Sequence, residues 1–164
     1  MTYSYSSAGR GYSPSYSTNN TQQLPEIKCR DKDQPLDSVS SIVWDPFNPE
    51  PVFATASWDG FVRLYKVNTN STIHEVGKAC EFFLHHPVLS VDFGGNGILI
   101  AGLASGDVVA VEIQSGNYIQ LGAHDAPICG VYWLNHYSLV MTLGFDNLIK
   151  FWRVQSENAF QTQF

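Results

Sequence analysis

At 164 residues with a 44% hydrophobic fraction, the chain has material for one packed domain. Its formal charge of −6 is uneven: residues 1–37 hold four acids and four bases, whereas residues 38–164 hold eleven acids and five bases, so the body has no broad basic face with which to grip phosphates. Three widely spaced cysteines (Cys29, Cys80, Cys129) exclude a disulfide framework and fit a reducing compartment, and no run approaches the ~18 apolar residues of a membrane span.

The chain opens on MTYSYSSAGRGYSPSYSTNNTQQ, a Tyr, Ser, Gly, Asn and Gln mixture with Arg10 as its one charge. Such a segment buries too little apolar surface to order itself, so residues 1–36 are expected to be a disordered tail. Tyr3, Tyr5, Tyr12 and Tyr16, with the Gly-Arg-Gly at 9–11, could at most stack weakly on RNA or on similar chains.

From Asp37 the texture changes to short apolar runs broken by Gly, Asn, Asp and Pro. Alternation in VRLYKV (62–67), VVAVEI (108–113) and IKFWRV (149–154), with no sustained helical period, predicts an all-β fold. Three segments share one template: SSIVW…FATASWDGFVRLYKV, LSVDF…LIAGLASGDVVAVEI and CGVYW…VMTLGFDNLIKFWRV. Their equivalent turn positions, Asp59, Ser105 and Asp146, lie 46 and 41 residues apart, which brackets the ~40–45 residue period of a four-stranded propeller blade. Three WD-type repeats are therefore predicted at 37–67, 87–113 and 124–154, about three blades of a presumed seven, with 156–164 as the truncated start of the next.

In the third copy the repeat offsets put His124, Thr142, Asp146 and Trp152 where one buried hydrogen-bond network can join three strands and a loop. The first copy has Thr55, Asp59 and Tyr65 at the matching places and no histidine, which predicts a partial network; the second has Ala101, Ser105 and Val111, which predicts none, a loss on the order of 1–3 kcal/mol. A His, a hydroxyl and an Asp also suit a hydrolase, but the exposed G-x-S-x-G elbow of that chemistry is missing, so no enzyme is expected.

The remaining motifs are weaker. GGNG (94–97) lacks the Lys-Ser/Thr of a phosphate loop and reads as a hairpin turn, and His74, His85, His86 and His136 have no partner at metal-ligand spacing, so neither metal nor cofactor is expected. Trp58 and Phe145 each precede the turn Asp, where a large aromatic can anchor a partner or pack on the neighbouring blade.

DSVSSIVWDP (37–46), ASWDGFVRLYKV (56–67), PVLSVDF (87–93) and LGAHDAPICGVYW (121–133), in that order, resemble the opening repeats of WD-repeat mRNA export factors of the Rae and Gle type. The runner-up resemblance is to spindle-checkpoint propellers of the Bub type, with similar WD, RLY and HDAPI segments. The first resemblance implies a scaffold of the nucleus and nuclear pore that binds a nucleoporin peptide segment, with RNA or messenger particles as further partners. The chain departs from the pattern in its middle repeat, in GFDN (144–147), and in stopping at Phe164. Three blades would leave open edges prone to self-association. A truncated gene product is the expected account, ahead of a short isoform or of a half-propeller completed by pairing.

Overall fold

The computed structural model describes residues 29–68, 75–95 and 97–154, and in these the chain is built of antiparallel sheets. The first sheet runs β1 (Val39–Trp44), β2 (Val52–Ser57), β3 (Phe61–Asn68) and β4 (Glu75–Phe83). The second repeats that order with β5 (Val88–Phe93), β6 (Ile98–Leu103), β7 (Asp107–Glu112) and β8 (Tyr118–Ala123). The third has β9 (Ile128–Leu134), β10 (Leu139–Gly144) and β11 (Ile149–Trp152). Each sheet is a meander in which strands adjacent in sequence pair, so these are propeller-like blades.

Two spans taken from the sequence change here. The blades reach beyond 37–67 and 87–113, because β4 and β8 complete them as outer strands. Both strands are mostly exposed or half-buried, so they lack the clear apolar alternation that marks a strand in the sequence. Residues 29–36, counted there with the tail, are held against the first sheet: Asp31–Asp33 forms a 3-10 turn, Asp33 is buried, and its carbonyl accepts the Tyr65 hydroxyl at 2.7 Å. The low-complexity stretch 1–28 and the final segment 156–164 lie outside the described residues.

The tight turn after the second strand of each blade is one device used three times. Gly60, Gly106 and Asn147 occupy equivalent positions with φ of +85°, +96° and +64°, the left-handed region that Gly enters freely and Asn tolerates. Just before it, the amides of Trp58, Ala104 and Phe145 each donate at 2.9 Å to the carbonyl preceding their own inner strand, from Ser38, Pro87 and Pro127. Gly94, Gly95 and Gly97 of GGNG lie in the β5–β6 hairpin, where the Gly94 amide donates to the Ile98 carbonyl.

Between the sheets lie two apolar layers. Ala54, Ala56, Leu64 and Phe82 of the first sheet meet Val88, Val91, Phe93 and Leu99 of the second; Ile100, Val108 and Ala110 of the second meet Ile128, Val131 and Val140 of the third. The inner strands β1, β5 and β9 are also joined directly. The Ser40 hydroxyl donates to the Val88 carbonyl at 2.6 Å, the Val131 amide to the Ser90 hydroxyl at 3.1 Å, and the Trp133 amide to the Asp92 carboxylate at 2.7 Å.

Gly102 sets how closely the second and third blades approach. A Cβ there would lie 2.5 Å from Ile128 Cγ2 and 2.8 Å from Val131 Cγ2, atoms of a packed core that cannot withdraw cheaply. Gly102→Ala is expected to lower unfolding free energy by about 1–3 kcal/mol, the usual cost of overpacking, as read by urea denaturation.

Candidate functional site

In the third blade, His124 sits in the loop that leads from β8 into β9, Thr142 on β10, Asp146 in the β10–β11 turn and Trp152 on β11. His124 Nδ1 lies 2.9 Å from both Asp146 carboxylate oxygens and its Nε2 lies 2.8 Å from Thr142 Oγ1, while Trp152 Nε1 donates to that same oxygen at 2.8 Å. One assignment of protons satisfies every group: the indole N–H donates to Thr142, the Thr142 hydroxyl to His124 Nε2, and His124 Nδ1–H to Asp146. The Asp146 carboxylate also accepts the amides of Asp125 and Leu148 at 3.2 and 3.1 Å. Burial would push its carboxyl up, but the His124 hydrogen bond, these two amides and the charge interaction with His124 outweigh that and hold it below the usual carboxylate range.

The order carboxylate, imidazole, hydroxyl is also that of an acyl-transfer triad. Here the hydroxyl is fully buried and its oxygen is occupied by the Trp152 N–H, leaving no approach for a substrate carbonyl. Chemically, the cluster can tie a loop to two strands and the turn between them.

The first blade is built differently from the partial network expected of it. Thr55, Asp59 and Tyr65 are not joined to one another: the Tyr65 hydroxyl turns to the Asp33 carbonyl, and buried Thr55 Oγ1 has no partner. Asp59 is instead held by a residue the sequence reading passed over. Buried Arg63 grips it from both guanidinium ends, Nη1 to Oδ1 at 3.0 Å and Nη2 to Oδ2 at 2.8 Å, while its Nε reaches Glu81 at 3.2 Å. The Leu36 amide donates to Asp59 at 2.9 Å, as the Asp125 amide does to Asp146, which places Pro35 where the third blade has His124. Without an imidazole N–H the turn carboxylate takes its side-chain donors from Arg63, and the charged Arg in the middle of VRLYKV was the available signal.

Burial of Asp59 opposes its ionisation, but the Arg63 guanidinium, the amides of Leu36 and Phe61 and the Ser57 hydroxyl together hold its pKa at about 2. Since the folded value lies below the unfolded value near 4, this stabilisation is complete above about pH 4 and is lost as pH falls towards 2. Acid titration of unfolding midpoints is expected to show that decline, and Asp59→Asn, although less stable throughout, to flatten it. Tyr65, enclosed beneath the 29–36 segment, is pushed up to about 12 chiefly by burial.

In the second blade the corresponding positions are Leu84, Ala101 and Val111, all buried, with Ser105 in the turn. The His position is identified by its backbone, since Leu84 donates to the Gly60 carbonyl as His124 does to that of Gly106, both at 2.9 Å. The histidine, threonine and tryptophan places have thus been taken together by apolar side chains. Where all partners go at once no polar group is stranded, so the expected loss lies at the low end of about 1–3 kcal/mol.

Trp58 and Phe145 are both exposed, on equivalent turns of the first and third blades, with Ala104 between them in the second. His85 and His86 form the exposed β4–β5 loop, where His85 sits edge-on to Phe83 with ring centroids 4.7 Å apart.

Comparison with known proteins agrees with this architecture. Residues 31–66 match the model of the WD domain, G-beta repeat. The chain is 32% identical over 128 residues to mRNA export factor GLE2 of Chaetomium thermophilum, covering 74% of this chain and 35% of that protein. It is 28% identical over 127 residues to mRNA export factor rae-1 of Caenorhabditis elegans, covering 74% and 33%, and 25% identical over 122 residues to mitotic checkpoint protein bub-3 of the same organism, covering 74% and 35%. The chain spans about a third of the length of these relatives. It is a WD-repeat, all-β chain of propeller-like blades, similar over three quarters of its length to mRNA export factors of the Rae and Gle type.

Proposed function

We propose that this chain is a non-enzymatic scaffold of mRNA export that binds a nucleoporin peptide segment at the nuclear pore, using the turn edge that carries Trp58 and Phe145. The observation that supports the reading is the contrast between two kinds of conspicuous residue. The chemically suggestive cluster His124, Asp146, Thr142 and Trp152 is used up internally, whereas the two aromatics at equivalent turns are left open to solvent. Large aromatics offered singly on a rigid edge are the residues that dominate peptide and protein interfaces. The similarity to two mRNA export factors supports the export role; the nucleoporin peptide is the partner that the family resemblance implies.

Pull-down of the 164-residue chain on an immobilised nucleoporin peptide, beside a positive control of a longer export factor, tests the reading. Capture is expected, and Trp58→Ala or Phe145→Ala is expected to weaken it about 10-fold or more, the scale of a hot-spot truncation. Failure of the unsubstituted chain against a working control overturns it.

A second reading, a mitotic checkpoint scaffold, is favoured by the 25% identity to bub-3. It predicts that a tagged chain collects at kinetochores and not at the nuclear rim.

A further inference from the structure

We infer that the turn edge takes one extended, basic peptide segment that runs from Trp58 to Phe145 across the small turn of the second blade. The segment seats an apolar residue at each end and sets lysine or arginine side chains against Asp37, Asp107 and Asp125. This rests on the reading above that the edge binds a peptide, and adds how the peptide lies and what its side chains must be.

The path follows from the equivalence of the three turns. Trp58, Ala104 and Phe145 hold the same place, each amide donating at 2.9 Å to the carbonyl that precedes its blade's inner strand. Trp58 stays 50% exposed although the second blade follows it, and Phe145 stays 66% exposed although the second blade precedes it. A neighbouring blade on either side therefore leaves this place open, so the exposure of the two rings belongs to the edge itself. Between them the second blade, packed against both neighbours, offers only the half-buried Ala104 methyl and the exposed Ser105. Two large aromatics thus flank a low turn, and a chain seated on both has no side chain to climb over.

The uncompensated charges along this path have one sign, and each turn has one carboxylate beside it. Exposed Asp37 adjoins Ser38, whose carbonyl anchors Trp58; half-buried Asp107 accepts the Ser105 hydroxyl; exposed Asp125 gives its amide to Asp146 beside Phe145. None of the three has an ion-pair partner among the described residues. The two cations at these turns are already engaged, Arg63 by Asp59 and Glu81, and Lys150 by the Ala123 carbonyl and Asp146. Lys66 and Arg153 stand towards the far ends of β3 and β11. Carboxylates set around exposed rings favour a partner with positive charge, both by attraction and by stacking of a cation on Trp58. An acidic segment with the same apolar anchors would meet like charge at all three turns.

The probe is a sixteen-residue peptide of four Phe-Lys-Gly-Ser units, which reaches about 50 Å when extended. Its counterpart has Glu in place of Lys. Isothermal titration of the 164-residue chain at low salt is expected to find one Phe-Lys peptide per chain, bound about 10-fold or more tighter than the Phe-Glu peptide, with the gap narrowing as salt rises. Trp58→Ala and Phe145→Ala should each weaken it about 10-fold. Ser105→Arg, which sets a cation on the path at an exposed position, should weaken it about as much, whereas the uncharged Ser105→Asn should leave it unchanged. Equal affinity for the two peptides, absence of binding included, two peptides per chain, or indifference to Ser105→Arg overturns the inference, even where the nucleoporin peptide is captured and the proposed function stands. Phe-Lys binding with the expected pattern but without capture of the nucleoporin peptide keeps the inference and removes the partner named above.

Discussion

Arg63→Val is expected to destabilise the chain by about 3–5 kcal/mol, the scale of breaking a buried ion pair from one side. The guanidinium is almost wholly enclosed and answers Asp59 through two hydrogen bonds and Glu81 through a third. Its removal leaves the Asp59 carboxylate, itself nearly buried, with only the amides of Leu36 and Phe61 and the neighbouring Ser57 hydroxyl. It also strips the stacked cation from Phe61, whose ring centroid is 4.7 Å away. The second blade supplies the control, because Val109 and Ser105 stand where the first has Arg63 and Asp59. The double replacement Arg63→Val with Asp59→Ser is therefore expected to cost clearly less than the two single changes added together. A coupling of about 2 kcal/mol or more by urea denaturation is the expected reading, and additivity would mean that the pair contributes nothing as a pair.

His124→Ala is expected to cost about 2–4 kcal/mol, as a buried network is broken and an imidazole-sized void is left behind. Thr142 loses the acceptor for its hydroxyl proton and Asp146 loses its ring donor; the loop from Ala123 into β9 is then held by the Asp125 amide and by the Lys150 ammonium on the Ala123 carbonyl. Copying the middle blade completely, by His124→Leu with Thr142→Ala, Asp146→Ser and Trp152→Val, should cost less than the sum of the four changes, since no carboxylate, hydroxyl or indole of the network is left without its partner. Thermal unfolding of the single and quadruple variants separates the two cases. A His124→Ala chain that melts with the unsubstituted one would remove the network from any account of this blade's stability.

The three blades thus solve one problem, a loop that must be fixed to the second and third strands of its own sheet, with three chemistries. The third uses a chain of hydrogen bonds ending on a carboxylate, the first a buried ion pair, the second apolar packing of Leu84, Ala101 and Val111. All three keep the backbone bonds around the turn, which shows that the turn geometry is the constant and the side-chain device the variable.

Much of this was written in the sequence alone, and the reason is local. Period-two alternation, turn residues suited to left-handed backbone and a 41–46 residue recurrence depend only on neighbours along the chain, so they disclosed an all-β, WD-type repeat and the relative offsets of His124, Thr142, Asp146 and Trp152. What the fold alone decided is every choice that depends on contacts made across sheets. The pairing of Arg63 with Asp59 and Glu81, the turning of Tyr65 to Asp33 and the place of Leu84 in the middle blade involve residues from 4 to 32 positions apart whose meeting is set by strand register. The same holds for exposure among the described residues. Val39 and Val88, or Phe151 and Leu64, look alike as letters, and only the packing of one blade on the next determines which of them is covered.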